Sequence, residues 1–200
     1  MALPRLFTAH RSVLYVDPTS GELRHGNLTN SPSNVQLVCQ GRRAEILCTT
    51  AADQAIVCSA NGCSVSSRAA ATTFDVAQFG HRRIALRADD LFLSAIPDGR
   101  VALSAAKCKA WETFILATPD GDSLDSIGLR YGTDKSSLHH DYLDFYDRFL
   151  SPLRLEPICI LEIGVWYGAS LSMWAEYFPR SLIPLRPGTQ NVVAARACSC

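Results

Sequence analysis

The sequence predicts a chain of mixed class, with an all-β domain over residues 1–118 and the opening of an α/β domain after it. Three observations predict this. Short apolar strands recur around turn glycines at positions 21, 62 and 99, which are 41 and 37 residues apart. A polar stretch, Thr118-Pro119-Asp120-Gly121-Asp122, ends that rhythm, and apolar residues then fall at helical spacing. An unbroken apolar run further on enters a glycine turn and a second helical stripe. The composition fits a folded chain, with 48% hydrophobic and 19% charged residues. Nineteen basic residues balance nineteen acidic ones, so no field favours a nucleic-acid partner. No apolar run approaches the roughly 18–20 residues that cross a bilayer. Residues 1–10 carry one arginine and no apolar core of leader length, so a cytoplasmic protein without a membrane partner is expected.

The first repeat has Val13-Leu14-Tyr15-Val16, the turn Asp17-Pro18-Thr19-Ser20-Gly21, then Glu22-Leu23, and closes near Val35 and Leu37. The second has Ala55-Ile56-Val57-Cys58, the turn Ser59-Ala60-Asn61-Gly62, then Cys63-Ser64-Val65, and closes at Phe74 and Val76. The third has Leu91-Phe92-Leu93-Ser94, the turn Ile96-Pro97-Asp98-Gly99, then Arg100-Val101-Ala102-Leu103, and closes at Trp111 and Phe114. Asn-Gly and Asp-Gly supply the positive φ that tight hairpins demand, and the flanking alternation is that of half-buried strands. Three such units of about forty residues predict a β-trefoil, in which each repeat gives a hairpin to one shared core. Trp111 and Phe114 are expected to close that core.

The third repeat, with its apolar strand from Ile84, Leu91-Phe92-Leu93-Ser94, the Gly99 turn and Trp111-Glu112-Thr113-Phe114, resembles a repeat of fascin-like β-trefoils. That resemblance implies a binding module for carbohydrate or for a protein partner such as actin. The Gln-x-Trp signature of ricin-type sugar binders is absent, so no sugar-binding residue carries over. The chain then divides into a trefoil over 1–118, a linker over 119–123, an incomplete second domain over 124–180 and an aberrant tail over 181–200.

Eight cysteines lie at 39, 48, 58, 63, 108, 159, 198 and 200, with no C-x-x-C pair. A zinc site would need such pairs or a pair with spaced histidines, so no metal site is expected. Cys39 to Cys159 are expected to be reduced, small apolar side chains; Cys198 and Cys200 read as incidental.

The chemistry-bearing residues lie in the second domain. From Leu138, apolar residues at Tyr142, Phe145, Tyr146, Phe149, Leu150 and Leu153 predict a helix that Ser151-Pro152 ends. Ile158-Cys159-Ile160-Leu161 reads as a strand buried on both faces. It runs into Glu162-Ile163-Gly164-Val165-Trp166-Tyr167-Gly168-Ala169-Ser170, and Leu171, Trp174, Ala175 and Phe178 then form a helical stripe. Strand, glycine turn and helix let the backbone approach a cofactor. Gly164 permits the turn and Gly168 a close contact. A carboxylate at Glu162 suits a cofactor that bears an ammonium group and would repel a pyrophosphate.

Ahead of this turn stand Tyr131-Gly132-Thr133-Asp134-Lys135, His139-His140-Asp141-Tyr142, and Tyr146 with Phe149-Leu150-Ser151-Pro152-Leu153-Arg154. Together with Leu161-Glu162-Ile163-Gly164-Val165 they resemble the start of class I S-adenosylmethionine (SAM) methyltransferases of the macrocin O-methyltransferase type, over residues 124–180. The resemblance implies a Rossmann-like domain and methyl transfer to the hydroxyl of a sugar or small molecule, aided by a base or a metal. It implies that Glu162, Gly164 and Gly168 contact SAM, with Thr133, Asp134 and Lys135 beside the pocket; Thr133 and Asp134 also suit a capping turn. His139 and His140 read as residues of the helix start.

In that family an acidic residue ends the second strand and binds the ribose. Here no Asp or Glu follows Glu176, and the segment from Arg180 is proline-broken, as a frameshift or unspliced intron would leave it. A lone β-α unit cannot bury both faces of its strand. The chain is therefore expected to be a truncated methyltransferase that binds SAM weakly or not at all and does not turn over.

Overall fold

The computed structural model describes residues 4–181. The tail expected to be aberrant lies, from residue 182, outside the described residues, as do Cys198 and Cys200. The chain divides into two compact units, Met1–Thr118 and Pro119–Cys200. Most of the ordered structure is antiparallel sheet, with few helices.

The first unit holds twelve strands among the described residues, four from each repeat. The first four are β1 (Arg5–Phe7), β2 (Val13–Val16), β3 (Leu23–Gly26) and β4 (Val35–Gln40). The next are β5 (Arg43–Cys48), β6 (Gln54–Ser59), β7 (Gly62–Ser67) and β8 (Phe74–Phe79). The last are β9 (Arg83–Ala88), β10 (Leu91–Ala95), β11 (Val101–Ala105) and β12 (Phe114–Ala117). β4 pairs with β5, β5 with β8, β8 with β9, β9 with β12 and β12 with β1, and β4 returns alongside β1. The other six strands form three hairpins, β2–β3, β6–β7 and β10–β11. Single bridges tie Glu22 to Ser64 and Arg24 to Arg100. Backbone bonds from Val65 N–H to the Gly21 carbonyl (2.9 Å) and from His25 N–H to the Gly99 carbonyl (3.0 Å) join the hairpins further.

Equivalent positions of the repeats fill one core. Leu6, Ile46 and Leu86 stand at forty-residue intervals, and all three are buried with Leu14, Ile56 and Leu93 from the hairpins. Val35, Phe74 and Phe114 close each repeat. The turns expected at Gly21, Gly62 and Gly99 all form with positive φ. Two expectations need correction. Phe114 is fully buried, but Trp111 is 46% exposed and leans on the ring of His10 at 5.8 Å. The short 3₁₀ turn Ala110–Glu112 buries Glu112 instead, whose carboxylate accepts from Ser94 Oγ (2.6 Å) and Lys109 N–H (2.8 Å). Cys58 and Cys63 are not free thiols but a disulfide, because the β6–β7 register sets them directly across the hairpin.

Two histidines bind the first repeat to the third. His10 Nε2 donates to the Ala95 carbonyl (2.9 Å) and His25 Nε2 to that of Ile96 (2.7 Å), and the rings stack at 5.3 Å. His25 Nδ1 is then left to accept from Ser12 Oγ at 2.7 Å.

The second unit has three helices among its described residues: α1 (Leu124–Tyr131), α2 (Leu143–Leu150) and α3 (Ala169–Tyr177). Ser123 caps α1 by accepting from Ser126 N–H. Leu124, Ile127, Leu143, Met173, Trp174, Tyr177 and Phe178 form the core. The stretch read as a linker is held to this unit: Arg130 Nη1 donates to the carbonyls of Pro119 and Gly121 (both 2.7 Å), and Arg154 Nη1 to that of Asp122 (3.0 Å).

The helix expected from Leu138 begins only at Leu143. Asp141 has a φ of 57°, outside helical geometry, and residues 133–142 are occupied by consecutive turns. Its aromatic stripe also faces outward: Tyr142, Phe145, Tyr146 and Phe149 are exposed, while Leu143 is buried and Leu150 partly so. The segment 158–161, expected as a strand covered on both faces, is not one. Ile158 and Ile160 pack on the helical core, whereas Cys159 is exposed and Leu161 and Ile163 are 76% and 91% exposed. Cys159 makes a single β-bridge, and among the described residues the segment joins no strand ladder.

Two predictions follow from this packing. A Cβ on Gly128 would meet Leu143 Cδ1 at 2.2 Å, Thr133 Cγ2 at 3.2 Å and Met173 Sδ at 3.3 Å, where α1 meets its neighbours. Gly128→Val is expected to cost about 1–3 kcal/mol, read as a lower urea midpoint of the helical signal. In the first unit, burial holds the His25 pKa below its ordinary value against the opposing Ile96 hydrogen bond and the weaker Asp98 charge, and the charge of His10 adds to the lowering. The neutral ring therefore adds stability above about pH 6.5 that is lost as pH falls toward the depressed value. Urea midpoints should drop between pH 7.5 and 5, and His25→Gln should flatten that drop.

Candidate functional site

Thr133, Asp134 and Lys135 follow α1, which Gly132 ends in a left-handed turn. Thr133 is buried; its N–H donates to the Gly128 carbonyl at 3.1 Å, and its Oγ1 accepts from Lys135 N–H at 3.4 Å. The loop beyond is fixed by Asp125, a buried carboxylate of the first turn of α1. It accepts from Ser137 N–H and from Ser137 Oγ, both at 2.8 Å. A short carboxylate in the low-dielectric interior makes strong bonds to such donors and sets where Lys135 emerges.

Lys135 reaches Glu162. Its Nζ lies 2.8 Å from Glu162 Oε1 and 3.7 Å from the nearer oxygen of Asp134. The Glu162 side chain is only 9% exposed and that of Lys135 24%. Oε2 of Glu162 accepts from Trp174 Nε1 at 3.1 Å. Oε1 is buried and has the Lys135 ammonium beside it as its charge partner. Burial works against the Lys135 ammonium, but the Glu162 carboxylate outweighs it, with help from Asp134, and holds the lysine pKa above its ordinary value. On the far side of Asp134, His140 Nε2 stands 3.9 Å from Oδ2, and the His140 ring stacks on Tyr142 at 5.3 Å.

Glu162 enters the turn that precedes α3. Gly164 and Gly168 have φ of 84° and 83°, which side chains rarely adopt, and nothing lies within 4 Å of where a Cβ would stand on either. Between them Trp166 and Tyr167 are largely exposed, their rings 4.5 Å apart. Gly168 begins α3 with its carbonyl accepting from Leu171 and Ser172. The structure thus joins Asp134, Lys135 and Glu162 in one charged cluster, places Thr133 behind it as a buried support, and leaves the two glycines on an open turn. Sequence reasoning missed Asp125 and the polar use of Trp174, which it counted only as part of an apolar stripe. Among the described residues, no three His, Cys, Asp or Glu side chains come together as a metal site.

No family model matches the chain. It is 36% identical over 103 residues to L-olivosyl-oleandolide 3-O-methyltransferase of Streptomyces antibioticus, covering 46% of this chain and 27% of that protein. It is 39% identical over 74 residues to demethylmacrocin O-methyltransferase of Streptomyces fradiae, covering 34% and 18%. Mycinamicin VI 2''-O-methyltransferase of Micromonospora griseorubida is 37% identical over 67 residues, with 30% and 17% covered. The chain therefore spans about a quarter or less of the length of these curated relatives. Among solved structures, the designed threefold-symmetric protein ThreeFoil is similar with a TM-score of 0.46 and 13% identity, covering 57% of this chain and 96% of its own.

The cluster makes its own prediction. Lysine's raised pKa means that the pair contributes fully below lysine's ordinary value near 10.5 and is lost as pH rises through the raised one. Lys135→Met should remove that alkaline loss in urea midpoints measured from pH 8 to 11.5. Trp174→Phe, which removes one donor to a buried carboxylate, should cost about 2 kcal/mol at pH 7.

Proposed function

We propose that residues 124–180 are the cofactor-binding opening of a SAM-dependent O-methyltransferase whose acceptor is the hydroxyl of a sugar or another small molecule. The observation that carries this reading is the buried Glu162 carboxylate, one oxygen of which faces an ammonium, at the mouth of a turn whose two positive-φ glycines have open space where a Cβ would stand. A carboxylate so placed fits an ammonium group, and the open backbone of the turn fits a ligand lying across it. When bound, SAM supplies an electrophilic methyl group on a sulfonium. Glu162 would hold its ammonium, Gly164 and Gly168 would let the backbone approach it, and Thr133, Asp134 and Lys135 would border the pocket. Trp174 keeps the Glu162 carboxylate turned toward that pocket by holding Oε2. The partial similarity to O-methyltransferases named for L-olivosyl-oleandolide, demethylmacrocin and mycinamicin VI supports a glycosyl hydroxyl as acceptor.

For the first unit we propose a β-trefoil of fascin-like type serving as an accessory binding module for carbohydrate or a protein partner such as actin. Its ring of six strands and three cross-tied hairpins support that reading.

The test is a titration of the ¹⁵N-labelled chain with S-adenosylhomocysteine, the stable product form of the cofactor. The Trp174 indole and the Gly164 and Gly168 amide resonances should shift with weak, millimolar affinity, and Glu162→Gln should weaken binding at least tenfold. If no resonance of the second unit moved at millimolar ligand, the proposal would be wrong.

A further inference from the structure

Glu162 has two oxygens with different partners. Oε2 is fixed by the indole of Trp174, which is buried in the helical core and cannot follow a ligand. Oε1 faces the Lys135 ammonium at 2.8 Å. A lysine ammonium has three donors on a flexible stem, so it can pass from one carboxylate to another without losing an anionic partner. A second carboxylate already waits for it, since Asp134 lies 3.7 Å from the same Nζ and is itself 44% exposed. Moving Nζ from one carboxylate to the other needs rotation about side-chain bonds and no passage of the charge into a drier place.

We propose that Lys135 is a displaceable stand-in for a ligand's primary ammonium: it occupies the Oε1 subsite of Glu162 in the free protein and shifts onto Asp134 when such a ligand binds. The inference rests on the cofactor reading above and assigns Lys135 a different part in it, as a competitor for the subsite and not a contact. Charge stays balanced, because one ammonium replaces another on Glu162 while the lysine keeps a carboxylate. The exchange also selects. A ligand without a primary ammonium gains nothing from Glu162 and leaves Lys135 where it is. His140 also faces Asp134, at 3.9 Å from Oδ2, and Thr133 Oγ1 donates to Oδ1 at 3.5 Å.

Two probes separate the idea from its alternatives, S-adenosylhomocysteine, which carries the ammonium, and methylthioadenosine, which lacks it. Each is titrated at pH 8 into the full chain, with the Trp174 indole resonance and the second unit's amide resonances as readout. Lys135→Met should tighten S-adenosylhomocysteine by about tenfold and leave methylthioadenosine unchanged. Asp134→Asn, which removes the second carboxylate, should weaken the first probe several-fold and again spare the second; it tests the idea even where Lys135→Met fails to fold. Binding of S-adenosylhomocysteine that is unchanged or weaker in Lys135→Met, or changes equal for both probes, would overturn the exchange and leave the cofactor reading standing. No binding of either probe by any form overturns both.

Discussion

Every amide and carbonyl of an extended backbone must find a partner when it is withdrawn from water, and this constraint decides where the chain builds sheet and where it does not. In the first unit the constraint is met by closure. Each of the six ring strands has an antiparallel neighbour, β4 comes back alongside β1, and the three hairpins are bridged to one another. The side chains that alternate inward, such as Leu6, Ile46 and Leu86, then fill the space the ring encloses. In the second unit the segment 158–161 is just as apolar, but it has no strand beside it among the described residues. It lies against the helices by Ile158 and Ile160 and leaves Leu161 and Ile163 in solvent.

Helices need no such neighbour, and the second unit is organised by a few charges set among apolar residues. Asp125 holds the loop after α1 through Ser137, and Arg130 pairs with Glu176 of α3. Tyr177 donates to Asp147 of α2, an arrangement that together with burial raises the phenol's pKa well above its ordinary value. Glu162 and Lys135 extend this pattern to the turn before α3. Buried carboxylates of this kind are stable only with their partners in place, so the same contacts that order the unit also set the chemistry of its exposed turn.

Much of the first unit was legible in the sequence, because turn glycines and alternation are local signals. The hairpins around Gly21, Gly62 and Gly99 and the closing residues Val35, Phe74 and Phe114 stand where the pattern puts them. The strands β1 and β5 were not legible, since Arg5-Leu6-Phe7 is three residues long and Arg43-Ala44-Glu45-Ile46 has few apolar side chains. Trp111 was misread because its neighbour Glu112, a charged residue, takes the buried place by bonding Ser94 within the same repeat. The disulfide depends on the β6–β7 register, which spacing alone does not set. In the second unit the apolar period of residues 142–153 correctly marked a helix but not its start, which the left-handed Asp141 decides, nor the direction its aromatics face. The cluster of Asp134, Lys135 and Glu162 was legible as separate motifs. That Lys135 and Glu162 touch, and that Trp174 holds the second oxygen, are long-range facts that no local pattern carries.

The pairing of β1 with β12 sets Arg5 opposite Ala117. The first and last strands of the unit are thus neighbours, and the polypeptide comes in and leaves at one place on its surface. A domain built so behaves as a cassette: it can be joined to a longer chain or cut and rejoined at another of its turns without unthreading its core. The three equivalent turns at Gly21, Gly62 and Gly99 make such circular rearrangements interchangeable in principle. Fold and connectivity are in this sense separable here.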